Sequence, residues 1–139
     1  MNELADLQAR IHAARQFTVT VGPQDAPRTI HLLEPDDHQI RLAGIRAGLR
    51  GADPAAELVF ERTLLVQAIT GWSGVTGADL LHGFPEQAAK VGDTAVAFAP
   101  GGVETLLNAQ REWGAQLWAA LVERMAQRSA AREPAEKNS

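Results

Sequence analysis

The side chains of this sequence with chemistry to offer are four histidines, an acidic cluster and three tryptophans. His12, His31, His38 and His82 could carry a proton or a metal, but they are scattered along the chain without a His-Glu-x-x-His pair. The sequence has no cysteine, which removes thiolate ligands, a thiolate nucleophile and any disulfide framework, and which fits a reducing compartment. Glu34, Asp36 and Asp37 are the residue types of a metal site or a general acid–base pair. Adjacent helical residues do not face each other, however, so capping of a helix is the simpler account of this cluster. Pro100-Gly101-Gly102 lacks the Gly-x-x-x-x-Gly-Lys-Ser/Thr pattern of a phosphate loop. The residues thus point to no catalytic residue, no cofactor and no metal.

Trp72, Trp113 and Trp118 offer contact area instead of reactivity. Aromatic residues concentrate at binding hot spots, yet they also dominate core burial. Trp113 and Trp118 share an amphipathic run and fit the core or a helix edge. Trp72 follows Gly71 at a helix end, where a ring can plug the core or meet a partner.

The elements that position these residues follow from periodicity. Leu4, Leu7, Ile11 and Ala14 recur at helical spacing behind Asn2, a good cap, and predict a short helix over 3–15 with a thin apolar stripe. Residues 17–21 and 29–33 are β-branched and apolar runs around a Gly-Pro-rich turn, the pattern of a β-hairpin. An isolated hairpin is marginal in water, so its edge is available for assembly. A helix start at Glu34-Pro35-Asp36-Asp37 predicts a helix to about Leu49, with a break at 51–54 in which Asp53 caps and Pro54 begins the next helix. The next helix, over 54–70, carries Leu58, Leu65 and Ile69 on one side and Val59 and Val66 beside them, as a central core helix would. Five glycines and Pro85 lie between Gly71 and Gly92 and predict a long loop, with Leu80, Leu81 and Phe84 as its apolar anchors. Val96 and Phe98 could add a third strand beside the hairpin. A final helix from Pro100 to about Arg128 places Leu106, Trp113, Leu117, Leu121 and Met125 on one stripe, and 129–139 reads as a mobile tail.

The 139 residues match one domain, here 1–128, and 45% hydrophobic against 22% charged residues is enough apolar content for a core. The expected fold is α+β and mainly α: an N-terminal helix, a small β-hairpin or three-stranded sheet, and three further helices. A net charge of −4 argues against nucleic acid as a partner, since that binding rests on Lys and Arg neutralising phosphates. No run approaches the roughly 20 apolar residues of a membrane span, and residues 1–6 lack a signal-peptide pattern, so a cytoplasmic location is expected.

One ordering of motifs is distinctive. A helical run ends in Thr70-Gly71-Trp72-Ser73-Gly74-Val75, and after a loop Asp93-Thr94-Ala95-Val96-Ala97-Phe98-Ala99-Pro100 leads into a second amphipathic run. This resembles the phage tail assembly chaperones, over roughly residues 17–128. Gly92-Asp93-Thr94 stands where family members often have Asp-Gly, and the 71–92 loop is longer than usual. The resemblance implies a non-enzymatic protein of the host bacterial cytoplasm that coats the tape measure protein before tail tube protein subunits polymerise around it. It implies partner-binding residues in the loop and terminal helix: Trp72, Val75, Leu80, Leu81, Phe84, Trp113 and Trp118.

Many members of that family are also made as a frameshifted longer form, which would be a further partner. Glu136-Lys137-Asn138 can be encoded with the heptamer A-AAA-AAC, and AAG at Lys137 would remove that slip site. Homo-oligomerisation stays open. The main alternative is a virion structural protein, a connector or tail component pairing through its hairpin edge. A small enzyme or ligand-binding protein with Trp72 on a lid is the third class.

Overall fold

The structure, a computed structural model, describes residues 2–48 and 53–137. The expected break at Gly51-Ala52 and the last tail residues, 138–139, lie outside the described residues. The fold is mainly helical with one three-stranded antiparallel sheet.

Helix α1, Glu3–Arg15, starts where the Asn2 side chain accepts from the backbone of Leu4 and Ala5. It buries none of its residues. Strands β1, Gln16–Val21, and β2, Arg28–Leu33, form the expected hairpin, in register from Gln16 opposite Leu33 to Val21 opposite Arg28. Burial alternates along β1, so Phe17, Val19 and Val21 face the helices while Thr18 and Thr20 face solvent. Helix α2, Asp37–Ala47, carries a full capping box between Asp36 and Gln39, which confirms capping for Asp36. Helix α3, Pro54–Ala68, begins at the Asp53 cap with Pro54 in its first turn, as the sequence predicts.

The third strand is not the one expected from Val96 and Phe98. It is β3, Ile69–Ser73, which pairs antiparallel with β2 to give the order β1-β2-β3. Helix α3 therefore stops at Ala68, two residues earlier than predicted, and the Gly71-Trp72 segment is extended. Val96 is left beside β3 without joining the sheet: Trp72 Nε1 donates to the Val96 carbonyl at 2.8 Å, and the Phe98 ring meets the indole edge-on at 5.0 Å. Only one bridge, Thr76 with Ala95, survives of the expected strand.

The expected long loop is also structured. After Gly74, whose φ of +86° and close approach to the Pro27 carbonyl suit glycine, come α4, Gly77–Leu80, and α5, Pro85–Val91. Val91 packs directly on Gly77, where no side chain would fit. The final helix divides into α6, Gly102–Ala109, and α7, Arg111–Lys137. Gln110 interrupts it with non-helical dihedrals while its side chain donates to the Asp79 carbonyl at 2.8 Å. Helix α7 runs past Arg128, where a tail was expected to begin, because Ser129-Ala130-Ala131-Arg132 continues a good helical sequence and Arg132 pairs with Asp37.

The core lies between the inner face of the sheet and the helices. Val21, Ile30, Leu32 and Trp72 meet Leu64, Leu65 and Ala68 of α3, Val103, Leu106 and Leu107 of α6, and Trp113, Leu117 and Leu121 of α7. Within that apolar mass sits one carboxylate. Glu34, 1% exposed, receives Arg128 in a hydrogen-bonded ion pair and Arg124 with Nε 3.3 Å from Oε1, within ion-pair range but outside hydrogen-bond geometry. The expectation that Glu34 belongs to a helix cap is corrected: it ties the end of β2 to α7. Arg124 also donates to the Ala14 carbonyl and lies over the Phe17 ring, 4.8 Å from its centroid.

Replacing Glu34 with Ala would leave two guanidinium groups facing an apolar wall. The expected loss is about 2–3 kcal/mol, below the roughly 3–5 kcal/mol of a fully enclosed pair because both arginines keep access to water. Urea denaturation of the two proteins measures it.

Candidate functional site

A groove of about 560 Å³ lies between α3 and the α6–α7 junction. Leu58, Val59, Glu61, Arg62 and Leu65 line it from α3, and Leu107, Arg111, Gly114 and Ala115 line the other side. Its floor is Leu65 and Leu107, both buried, while Leu58 is 66% and Val59 49% exposed. This corrects the expected stripe of α3. The buried positions of the helix are Ala56, Leu64, Leu65 and Ala68, with Phe60 packed beside them, and Leu58 and Val59 lie off that face. In its N-terminal half Phe60 packs on Trp118 of α7, while Leu58 and Val59 stay exposed at the groove lip.

Small residues set the groove's depth. Gly114 lies on the first turns of α7, and a methyl group there would meet Leu107 at an ordinary 3.6 Å, so the position is open on the groove side. Ala115 beside it is exposed. The rim is charged: Arg62 is held by Asn108 Oδ1 at 2.9 Å, and Arg111 is exposed. Burial pushes the Glu61 carboxyl above its ordinary value, and neighbouring Arg62 partly opposes that shift.

The residues expected to meet partners fall into three groups. Trp72, Val75 and Trp113 are buried in the core, Trp72 as the plug between β3, Phe98 and Gly102. Leu80 and Leu81 are partly covered, whereas Phe84 is 65% exposed between α4 and α5. Trp118 is half-buried and meets Phe60 of α3 edge-on at 6.1 Å, one turn of α7 beyond Gly114. The structure does not gather these seven into one surface. The groove residues were missed because Leu58 and Val59 read as core positions; the small pair Gly114-Ala115 amid large apolar residues was the available signal.

The polar side chains serve the fold. Arg28 grips Asp79 of α4 through Nε and Nη2 at 2.9 and 3.0 Å, both side chains about nine-tenths buried. The hydrogen bond to Asp79 raises the Arg28 pKa against the opposing effect of burial. Asp79 also closes a capping box with Thr76. The four histidines are all exposed and remain apart, and among the described residues no three His, Asp or Glu side chains are grouped as a metal would need.

The class these features define is a helix-rich α+β protein with an open, apolar-floored groove between helices. Among the described residues no helix is long and apolar enough to cross a membrane. Comparison with protein families, curated proteins and solved structures finds no match to this chain.

The Glu61 shift has a testable sign. A carboxyl whose folded pKa is raised favours the fold when protonated, and that contribution is lost as pH rises through the folded value. Glu61→Gln is therefore expected to raise the melting temperature slightly at neutral pH, with the gain vanishing below the carboxylate range; thermal melts across pH measure it.

Proposed function

We propose that this chain is a non-enzymatic phage tail assembly chaperone, acting in the host bacterial cytoplasm, that holds a helical segment of the tape measure protein in the groove between α3 and α7. The observation that carries this proposal is the groove itself: exposed Leu58 and Val59 over a floor of Leu65 and Leu107, bordered by Gly114 and Ala115. A helical client presents an apolar stripe, and an open trough beside small residues accepts one by the helix-in-groove mode. A trough without enclosing walls suits a client that tail tube subunits must later displace, since its contacts are shallow and easily lost. The order of motifs through Trp72, Val96, Phe98 and the terminal helix supports the same proposal by its resemblance to that family. A frameshifted longer form would bring the same groove to the client with an added domain.

Co-expression with the tape measure protein tests it. The full chain is expected to keep that protein soluble and to co-purify with it. Ala115→Trp fills the trough from an exposed position and is expected to abolish co-purification without lowering the melting temperature. Undiminished recovery with the filled groove contradicts groove binding. An insoluble tape measure protein beside the unaltered chain contradicts the chaperone assignment.

A further inference from the structure

Helix α7 changes character at Leu121. Up to that residue its inward stripe is Trp113, Leu117 and Leu121, all buried. Over 122–132 no residue is buried: Val122 is exposed, Met125 is half-buried, and the stripe continues as Arg124, Arg128 and Arg132. These arginines reach Glu34 and Asp37, and Arg124 Nη2 also donates to the Ala14 carbonyl, in the last turn of α1, at 3.0 Å. Helix α1 itself buries none of its residues.

We infer that residues 122–132 and helix α1 form a clasp that opens as one unit while the core stays folded. The attachment of 122–132 is polar. Separating an ion pair returns both partners to water, which offsets much of the lost attraction, whereas nothing offsets the uncovering of a leucine stripe. The outermost pair, Arg132 with Asp37, is exposed on both sides and holds little. The closed state also carries a defect: Arg124 Nε is buried without a hydrogen-bond acceptor among the described residues, a donor that water would satisfy on opening.

Helix α1 depends on the same arginine. A 13-residue helix that buries nothing is marginal in water. Arg124 satisfies one of its last carbonyls and sets a cation at its C-terminal end, where the helix dipole favours one. Withdrawal of Arg124 therefore uncaps α1, and α1 unwinds with the opened segment. Arg15 stays bonded to the Glu34 carbonyl at 2.8 Å, which keeps the end of α1 on β2 and lets the clasp reclose. Opening uncovers the Phe17 ring beneath Arg124 and frees Glu34 to water. The α3–α7 groove, bordered by Arg111, Gly114 and Ala115 at the other end of α7, is left as it is. The clasp is thus independent of what the groove binds.

Native-state hydrogen exchange of the full chain tests it. Amides over 122–132 and in α1 are expected to share one opening equilibrium, with protection rising by about tenfold or more at 113–121. Arg124→Gln is expected to speed exchange in α1 and in 122–132 and to leave 113–121 unchanged, whereas a general loss of stability would speed all three. Ala9→Gly gives the reciprocal arm: Ala9 is exposed on α1, so the substitution weakens that helix without removing a contact to α7. Faster exchange over 122–132 in this variant is the expected result. Protection that declines gradually from Leu121 to residue 132 overturns the inference, since fraying from the helix end gives that profile. So does an α1 indifferent to Arg124→Gln, or an effect of Ala9→Gly confined to α1.

Discussion

The ion pairing of Glu34 with Arg124 and Arg128 is the constraint on which the placement of α7 depends. A carboxylate taken out of water costs several kcal/mol unless partners meet it, and these two arginines, one turn apart, meet it together. The apolar contacts of α7 supply more free energy: burial of Leu117 and Leu121 is worth about 1.5–3 kcal/mol each. Apolar contact is tolerant of small slips, however, whereas a buried carboxylate needs a guanidinium at its own position. At the other end Trp113 covers Gly22, so α7 is pinned to both ends of the hairpin. Arg132 repeats the pairing one turn further on, with Asp37.

A second polar node fixes what the first leaves free. Asp79 receives Arg28 from the hairpin, caps α4 with Thr76 and, through its carbonyl, accepts from Gln110. That last bond lies where α6 turns into α7. The interruption lets α6 bury Val103, Leu106 and Leu107 while α7 takes its own path across the sheet. The trough opens beside the junction, where Leu58 and Val59 of α3 stay exposed above buried Leu65 and Leu107. The groove is thus a consequence of how the elements are pinned, and among the described residues Leu58 and Val59 stay exposed at its lip.

Locally encoded features were legible in the sequence. Asn2, Asp53 and Pro54 announced their helices, and the alternation of Phe17, Val19 and Val21 announced the hairpin, because caps, turns and period-two burial depend on neighbouring residues. Features decided at a distance were not. The Ile69–Ser73 strand exists because Ile30 and Trp72 pair across β2, and no local signal separates it from a helix end. Gln110 would suit a continuous helix until Asp79 offers its carbonyl. Glu34 resembled a helix-start acid; the spacing of Arg124, Arg128 and Arg132 along one helix face was the signal that it and Asp37 had distant partners. The groove was hidden for the same reason, since exposure of Leu58 and Val59 depends on where α7 lies.

The central claim is that the α3–α7 groove, not the sheet edge, is the surface offered to a helical partner. Hydrogen exchange of the full chain, alone and bound to the tape measure protein, tests it most directly. Slower exchange across residues 58–65 and 111–115 on binding, with β1 at 16–21 unchanged, is the expected result. Protection confined to β1 would contradict the claim and favour a structural component that pairs through its hairpin edge.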